Sequence, residues 1–250
     1  MTTILVTGGT GNLGRLVTER LRADGHEVRV LSRHAQPYAV DLRAGGSGLD
    51  AAVAGVDTIV HCASAFRGDE RATTNLLAAA RRAGVGHLVY ISIVGVDQVP
   101  FGYYKSKLAV EKLVEESGLG WTVLRATQFH DLLFMLFKTL AKPHVMVLPA
   151  GLRDQPIDVS EVADRLAELA TAAPAGRVED MGGPEVRTFD SLARAYLKAT
   201  GRRRLVVGLR LPGRTFRAFR AGGHLAPERA VEKGTFEEYL AGRLGEGRQS

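Results

Sequence analysis

The chain has 250 residues, 45% hydrophobic and 24% charged, with a formal net charge of +6, which fits one large α/β domain, or one domain with a small cap, around a large core and excludes a disordered or fibrous chain. Its one cysteine, Cys62, excludes an intrachain disulfide and suits a reducing cytoplasm. No apolar run approaches the roughly 20 residues of a membrane span, no signal-peptide pattern precedes the first apolar run, and the basic residues are spread along the chain without a nucleic-acid motif, so neither membrane nor nucleic acid is expected as a partner.

The apolar run Thr3-Ile4-Leu5-Val6-Thr7 stops at Gly8-Gly9-Thr10-Gly11-Asn12-Leu13-Gly14, and helix-forming sequence follows over 15–22. A glycine at 8 permits a tight turn out of a strand. Gly11 lets the backbone approach a pyrophosphate, and Gly14 lets the helix pack close to the sheet. Phosphates then sit where unpaired N–H groups and the helix dipole favour negative charge. Residues 26–31 read as a second strand whose tip, Ser32-Arg33-His34, lacks the carboxylate that would accept from a ribose 2′-OH. Arg33 can clamp a 2′-phosphate instead, so NADP is expected over NAD.

Val40-Asp41-Leu42 reads as a short third strand, with Asp41 placed to accept from an adenine amino group. A short helix over 49–54, a strand over 57–63, a helix over 71–83, a strand over 87–92, a helix over 103–117 and a strand over 121–125 follow. This alternation predicts βαβ units in a doubly wound parallel sheet of Rossmann type. The ligand rim at the strand ends then carries residues 8–13, Ser32, Arg33, Asp41, Cys62, Ala63, Ser64, Ala65, Ser92 and residues 125–129. Cys62 reads as a small lining residue.

On the helix at 103–117, Tyr103 and Lys107 are four apart and share one face. There a lysine can hydrogen-bond a nicotinamide ribose and lower the pKa of a tyrosine acting as acid or base. The alternative for Tyr103 is packing at the helix start.

Residues 129–137 are dense in apolar and aromatic side chains, reading either as a packing helix or as the wall of an apolar substrate site. His130 and Asp131 are proton-donor candidates or structural groups. Asp158 is placed to cap a helix that ends before Pro174. A turn at Gly182-Gly183-Pro184, a helix over 190–200, short helices over 212–220 and 235–243 and a frayed tail over 245–250 complete the reading. The C-terminal part forms a small α/β extension, so the chain reads as one NAD(P)-binding domain over 1–250, with 128–250 supplying most of the substrate-side lobe. No metal motif and no nucleophile elbow occurs.

The segments 7–14, Ser32-Arg33, 60–64, Tyr90-Ile91-Ser92, 103–107 and 117–125 together resemble an atypical short-chain dehydrogenase/reductase of the NmrA-like kind, over about the first half of the chain. The resemblance implies a nicotinamide dinucleotide across the strand ends, Lys107 on the nicotinamide ribose, and Thr127 and Phe129 bordering the nicotinamide. It also implies a hydroxyl just after the strand ending at Ser92; Ile93 stands there, and Ser92 is one position early for a Ser92–Tyr103–Lys107 arrangement. The function expected is an NADP-dependent reductase passing hydride to a small apolar carbonyl, quinone or enone. The alternatives are a non-catalytic NADP-binding sensor and a sugar-nucleotide epimerase. The helix at 103–116 would also suit a homodimer.

Overall fold

A computed structural model describes residues 1–65, 67–231 and 233–246. In chain order the elements are β1 (Thr3–Thr7), α1 (Asn12–Ala23), β2 (Glu27–Ser32), β3 (Tyr38–Ala39), α2 (Ser47–Val53), β4 (Thr58–His61), α3 (Asp69–Ala83), β5 (His87–Ile93), α4 (Gly102–Glu115) and β6 (Gly120–Ala126). Then come α5 (His130–Leu140), β7 (Val145–Pro149), β8 (Arg153–Asp154), α6 (Val159–Thr171), β9 (Gly176–Arg177), β10 (Arg187–Thr188), α7 (Phe189–Ala199), β11 (Leu205–Leu209), α8 (Arg214–Ala221), a 3-10 turn (Pro227–Arg229) and α9 (Phe236–Glu246). Two compact units interleave along the chain. One comprises Met1–Ser92, Gly102–Arg125 and Val162–Glu179, the other Ile93–Phe101, Ala126–Glu161 and the residues from Asp180 on. Among the described residues no helix is long and apolar enough to cross a membrane.

The first unit holds a seven-stranded sheet in the order β3-β2-β1-β4-β5-β6-β9, with the parallel pairing the alternating pattern predicts. Its central strands are apolar runs covered on both faces, as a parallel sheet requires. Ile4, Leu5, Val6, Ile59, Val60 and Leu88 are fully buried. Register fixes the rim: Thr7 lies between Leu31 of β2 and His61 of β4, and His61 pairs with Tyr90 of β5. Gly8, Ser32, Cys62 and Ile91 therefore leave their register positions at the same end of the sheet.

The third strand differs from expectation. It is Tyr38–Ala39 that pairs with Leu31 and Ser32, while Leu42 is buried in the core and Asp41 lies in the turn beyond. Burying Leu42 stabilises more than extending a two-residue edge strand with an acidic residue in its middle. Helix α3 starts at Asp69, two residues before the predicted 71. At the other end of the chain α9 carries helix through 246, past the predicted fraying point, and residues 247–250 lie outside the described residues.

The second unit is built on a core of Leu133, Phe137, Met146, Leu148, Leu192, Tyr196, Phe236 and Leu240. Strands β7 and β11 pair in parallel, and β8 and β10 antiparallel. Asp158 caps α6 as predicted, its Oδ1 accepting from Ser160 N at 2.7 Å. Gly182 and Gly183 do not form the expected turn. Gly182 bridges Ala230, and a Cβ at Gly183 would stand 1.9 Å from the Pro156 carbonyl oxygen. Fully buried Gln155 ties this region together. Its Nε2 donates to the Gly183 and Ala226 carbonyls at 2.8 and 3.2 Å, and its Oε1 accepts from Ala226 N at 2.8 Å.

Asp154 makes the second unit sensitive to pH. Burial raises its carboxyl to about 7, against one backbone hydrogen bond from Gln155 that lowers it. The unfolded chain keeps a value of about 3.9, so stability is full below that pH and falls as pH rises towards 7, by at most about 4 kcal/mol. Asp154→Asn keeps the acceptor and removes the charge. Urea unfolding is expected to show the variant more stable than the wild type at about pH 8, with the gap closing near pH 4.

Candidate functional site

The loop from β1 to α1 is a cradle that side chains would fill. Gly8 has φ +67°, and a Cβ there would lie 2.8 Å from Ala63 Cα; one at Gly14 would lie 2.4 Å from the Gly8 carbonyl oxygen. The strand end beneath is fixed by a buried chain of hydrogen bonds: Thr7 Oγ1 meets His61 Nδ1 at 2.7 Å, and His61 Nε2 meets Thr73 Oγ1 at 3.1 Å. Burial, then the Lys107 charge, pushes His61 down to about 3, so the ring is neutral. Gly11 is the N-cap of α1, makes no side-chain cap bond, and no acidic residue stands in the first turn. The positive end of the helix dipole is thus left for an anion. Thr10, Gly11 and Asn12 are exposed and Leu13 is buried. The glycine geometry, tested on its missing Cβ atoms, fits a pyrophosphate.

Ser32 Oγ accepts from Ala35 N at 3.0 Å and His34 N at 3.3 Å, folding the β2 tip so that Arg33 and His34 are exposed. Asp41 is paired within its own turn. Its carboxylate takes Arg43 through Nε and Nη2 at 3.1 and 2.7 Å, and these bonds hold it down to about 2. The signal for this pair, an Asp-x-Arg spacing, was present in the sequence.

On α4, Lys107 and Tyr103 share a face as predicted. Lys107 is 3% exposed, and its Nζ stands 5.1 Å from the Tyr90 ring centre and 5.9 Å from that of Tyr103. Asp69 Oδ2 lies 3.9 Å from Nζ, an ion pair outside hydrogen-bond distance, which leaves the ammonium protons for a ligand. The Asp69 carboxylate accepts from Ser64 Oγ at 3.0 Å and Ala65 N at 2.6 Å, and Ser64 Oγ meets the Tyr103 hydroxyl at 2.9 Å. The cluster brought together is therefore Ser64, Asp69, Tyr103 and Lys107. The sequence pattern places the helix start at 71, which leaves Asp69 outside it. An aspartate just after Gly68 was the available signal.

The lysine does not depress the tyrosine. Burial raises Tyr103 above its ordinary value, the Ser64 hydrogen bond works against this, and the Asp69 charge adds to it. Lys107 is itself lowered by burial, with Asp69 opposing. Ser92 is buried and its Oγ has no hydrogen-bond partner, so it makes no bond to Tyr103. Burial pushes Cys62 up to about 12, which keeps it a thiol beside Ala63.

Thr127 and Phe129 belong to the second unit. The Thr127 hydroxyl is committed to structure, donating to the Gln155 carbonyl at 2.5 Å and accepting from Gly183 N at 3.2 Å. Phe129 is the N-cap of α5. His130 is structural too: its Nε2 meets the Gly234 carbonyl at 2.7 Å, its ring packs on Phe236 and Tyr239, and burial lowers its pKa. Asp131 accepts from the Tyr239 hydroxyl at 2.9 Å. Among the described residues no group of three or more His, Cys, Asp or Glu is placed to hold a metal.

A family model described as NAD(P)H-binding matches residues 8–172. An uncharacterized protein of Mycobacterium tuberculosis is 31% identical over 77% of this chain, which spans 23% of that protein's length. The (4-alkanoyl-5-oxo-2,5-dihydrofuran-3-yl)methyl phosphate reductase of Streptomyces griseus is 30% identical over 80% of this chain and 74% of its own. Among solved structures, an NADPH-dependent quinone oxidoreductase of Escherichia coli complexed with NADPH superposes with a TM-score of 0.79, at 21% identity, over 96% of this chain and 99% of its own. That likeness shows the Rossmann-type fold.

Proposed function

The chain belongs to the NAD(P)H-binding family, and from that premise we propose that it is a cytoplasmic NADPH-dependent reductase of a small apolar carbonyl, quinone or enone. One observation carries the reading: a glycine-walled helix N-terminus and a buried lysine whose ammonium is left free to hydrogen-bond stand in the same unit. The Gly8–Gly14 loop holds the pyrophosphate through backbone N–H groups, and Gly11 keeps side chains out of its way. Arg33 faces the 2′-phosphate. Cys62, Ala63 and Ser64 line the strand end, and Lys107 donates to the nicotinamide ribose. When bound, the dinucleotide supplies the hydride. The protein's part is to orient both reactants and exclude water. Tyr103, protonated at neutral pH, can donate through its hydroxyl, which Ser64 Oγ holds in place at 2.9 Å. The name of the Streptomyces relative describes an unsaturated oxo-dihydrofuran, which supports a conjugated carbonyl as substrate class.

Arg33 decides the cofactor. Arg33→Gln is expected to weaken NADPH binding roughly tenfold to a hundredfold, the worth of a lost charge-assisted bond, and to leave NADH binding nearly unchanged. Titration calorimetry with both nucleotides measures it. Equal affinity of the wild type for the two would remove the role given to Arg33.

A second reading, a sensor that binds NADPH without turnover, draws on the isolated Ser92 hydroxyl and on Ile93 beside it. Tight NADPH binding without oxidation by any quinone, enone or ketone would favour it.

A further inference from the structure

The cationic residues are unevenly distributed, contrary to the impression of a basic sequence with spread charges. Between positions 191 and 227 stand eight arginines and one lysine, with no aspartate or glutamate. With a net charge of +6, these nine leave the rest of the chain at −3 (6 − 9). Strand β11 runs through the middle of this segment. Its register sets Leu205 opposite Val145, Val207 opposite Val147 and Leu209 opposite Pro149 on β7. Alternation sends Met146 and Leu148 into the core and the odd-numbered residues to the other face. Leu205, Val207, Leu209, Val145 and Val147 are 64, 41, 53, 41 and 47% exposed.

Arginines stand before and after this strand along the chain. Arg203 precedes β11, Arg210 follows it, and Arg214 and Arg217 lie on α8; all four are exposed. No carboxylate of the described residues is within ion-pair distance of them, whereas Arg194 is paired with Asp190 and Arg204 and Arg220 are tied to main-chain carbonyls. The chemistry of an occupant follows from the charges. A second copy of the chain, docked face to face, would oppose one arginine cluster to another. A single-stranded nucleic acid would want aromatic side chains to stack its bases, and the five exposed side chains are all aliphatic. An exposed apolar strand face with unpaired cations just before and after it in the chain matches a surface that is apolar within and anionic at its boundary.

We propose that the β7–β11 face docks on an anionic lipid surface, its aliphatic side chains entering the headgroup boundary while Arg203, Arg210, Arg214 and Arg217 meet lipid phosphates. The contact is peripheral. It replaces the expectation of no membrane partner, and it does not depend on the cofactor or substrate reading.

Flotation of the full chain with vesicles tests it. The protein is expected to float with vesicles containing phosphatidylglycerol, to stay in solution with pure phosphatidylcholine, and to be released by high salt. Arg203→Gln/Arg210→Gln/Arg214→Gln is expected to lower partitioning about a hundredfold, given the worth of three arginines near an anionic surface. Leu205→Ser/Val207→Ser is expected to lower it at least about tenfold. NADPH binding and thermal melting report that both variants stay folded. The proposal is overturned if the wild type ignores anionic vesicles, or if the aliphatic variant floats as well as the wild type. It is equally overturned if light scattering shows a dimer that Leu205→Ser/Val207→Ser dissolves, which would make the face a self-association surface.

Discussion

Gly14→Ala is expected to abolish NADPH binding, by a factor of at least about a hundred, and to destabilise the fold by about 1–3 kcal/mol. The added Cβ would meet the Gly8 carbonyl oxygen at 2.4 Å and Gly9 Cα at 2.8 Å. Both are backbone atoms of the loop proposed to hold the phosphates, so the helix or the loop has to move. Alanine favours helix over glycine by about 1 kcal/mol, and this gain is smaller than the cost of shifting α1 off the sheet. Gly11→Ala separates the two effects. Its Cβ would have one close neighbour, at 3.1 Å, so it is expected to leave thermal stability nearly unchanged while NADPH affinity falls. Equal NADPH affinity in wild type and Gly11→Ala, measured by fluorescence titration, would show that the phosphates lie elsewhere.

The second large effect belongs to the buried ion pair. Lys107→Met fills the same volume but leaves Asp69 without its cation, at 7% exposure. Breaking such a pair from one side costs about 3–5 kcal/mol. Asp69 keeps its bonds from Ser64 and Ala65, which places the expected loss at the lower end. Lys107→Met/Asp69→Asn is expected to recover most of that stability, because no unpaired charge remains. Turnover and NADPH affinity are expected to stay low in the double variant, since the proposed ribose donor is still missing. Urea unfolding combined with NADPH titration tests both. A double variant as unstable as Lys107→Met would mean that the two charges do not interact, and full NADPH affinity in either would take Lys107 out of the site.

These two sites also mark how far the residues alone lead. The cradle was legible because its requirement is local: Gly8 answers to a turn and Gly14 to a close helix packing within seven residues. The parallel sheet was legible because apolar runs such as 3–7 and 87–92 have few other uses. What escaped depends on side chains brought together over long separations. Asp69 reaches Lys107 across 38 positions, and nothing near Asp69 shows which charge it will meet. Tyr103 and Lys107 do share a face, but the direction of the tyrosine's pKa shift is set by burial and by Asp69, neither of which the four-residue spacing contains. The place of Asp41 at the strand-end rim is legible from the sequence, whereas its pairing with Arg43 depends on how the turn folds. Thr127 was placed at the nicotinamide by resemblance, and its hydroxyl bonds Gln155 and Gly183, which lie 28 and 56 positions away.

The oxidation of NADPH, followed by its loss of absorbance with a panel of quinones, enones and ketones, tests the central claim most directly. A reductase of this chemistry is expected to consume NADPH with at least one conjugated acceptor, faster than NADH, and to lose that turnover in Lys107→Met. Tight NADPH binding with no oxidation across the whole panel would contradict the reductase and leave a nucleotide-binding sensor in its place.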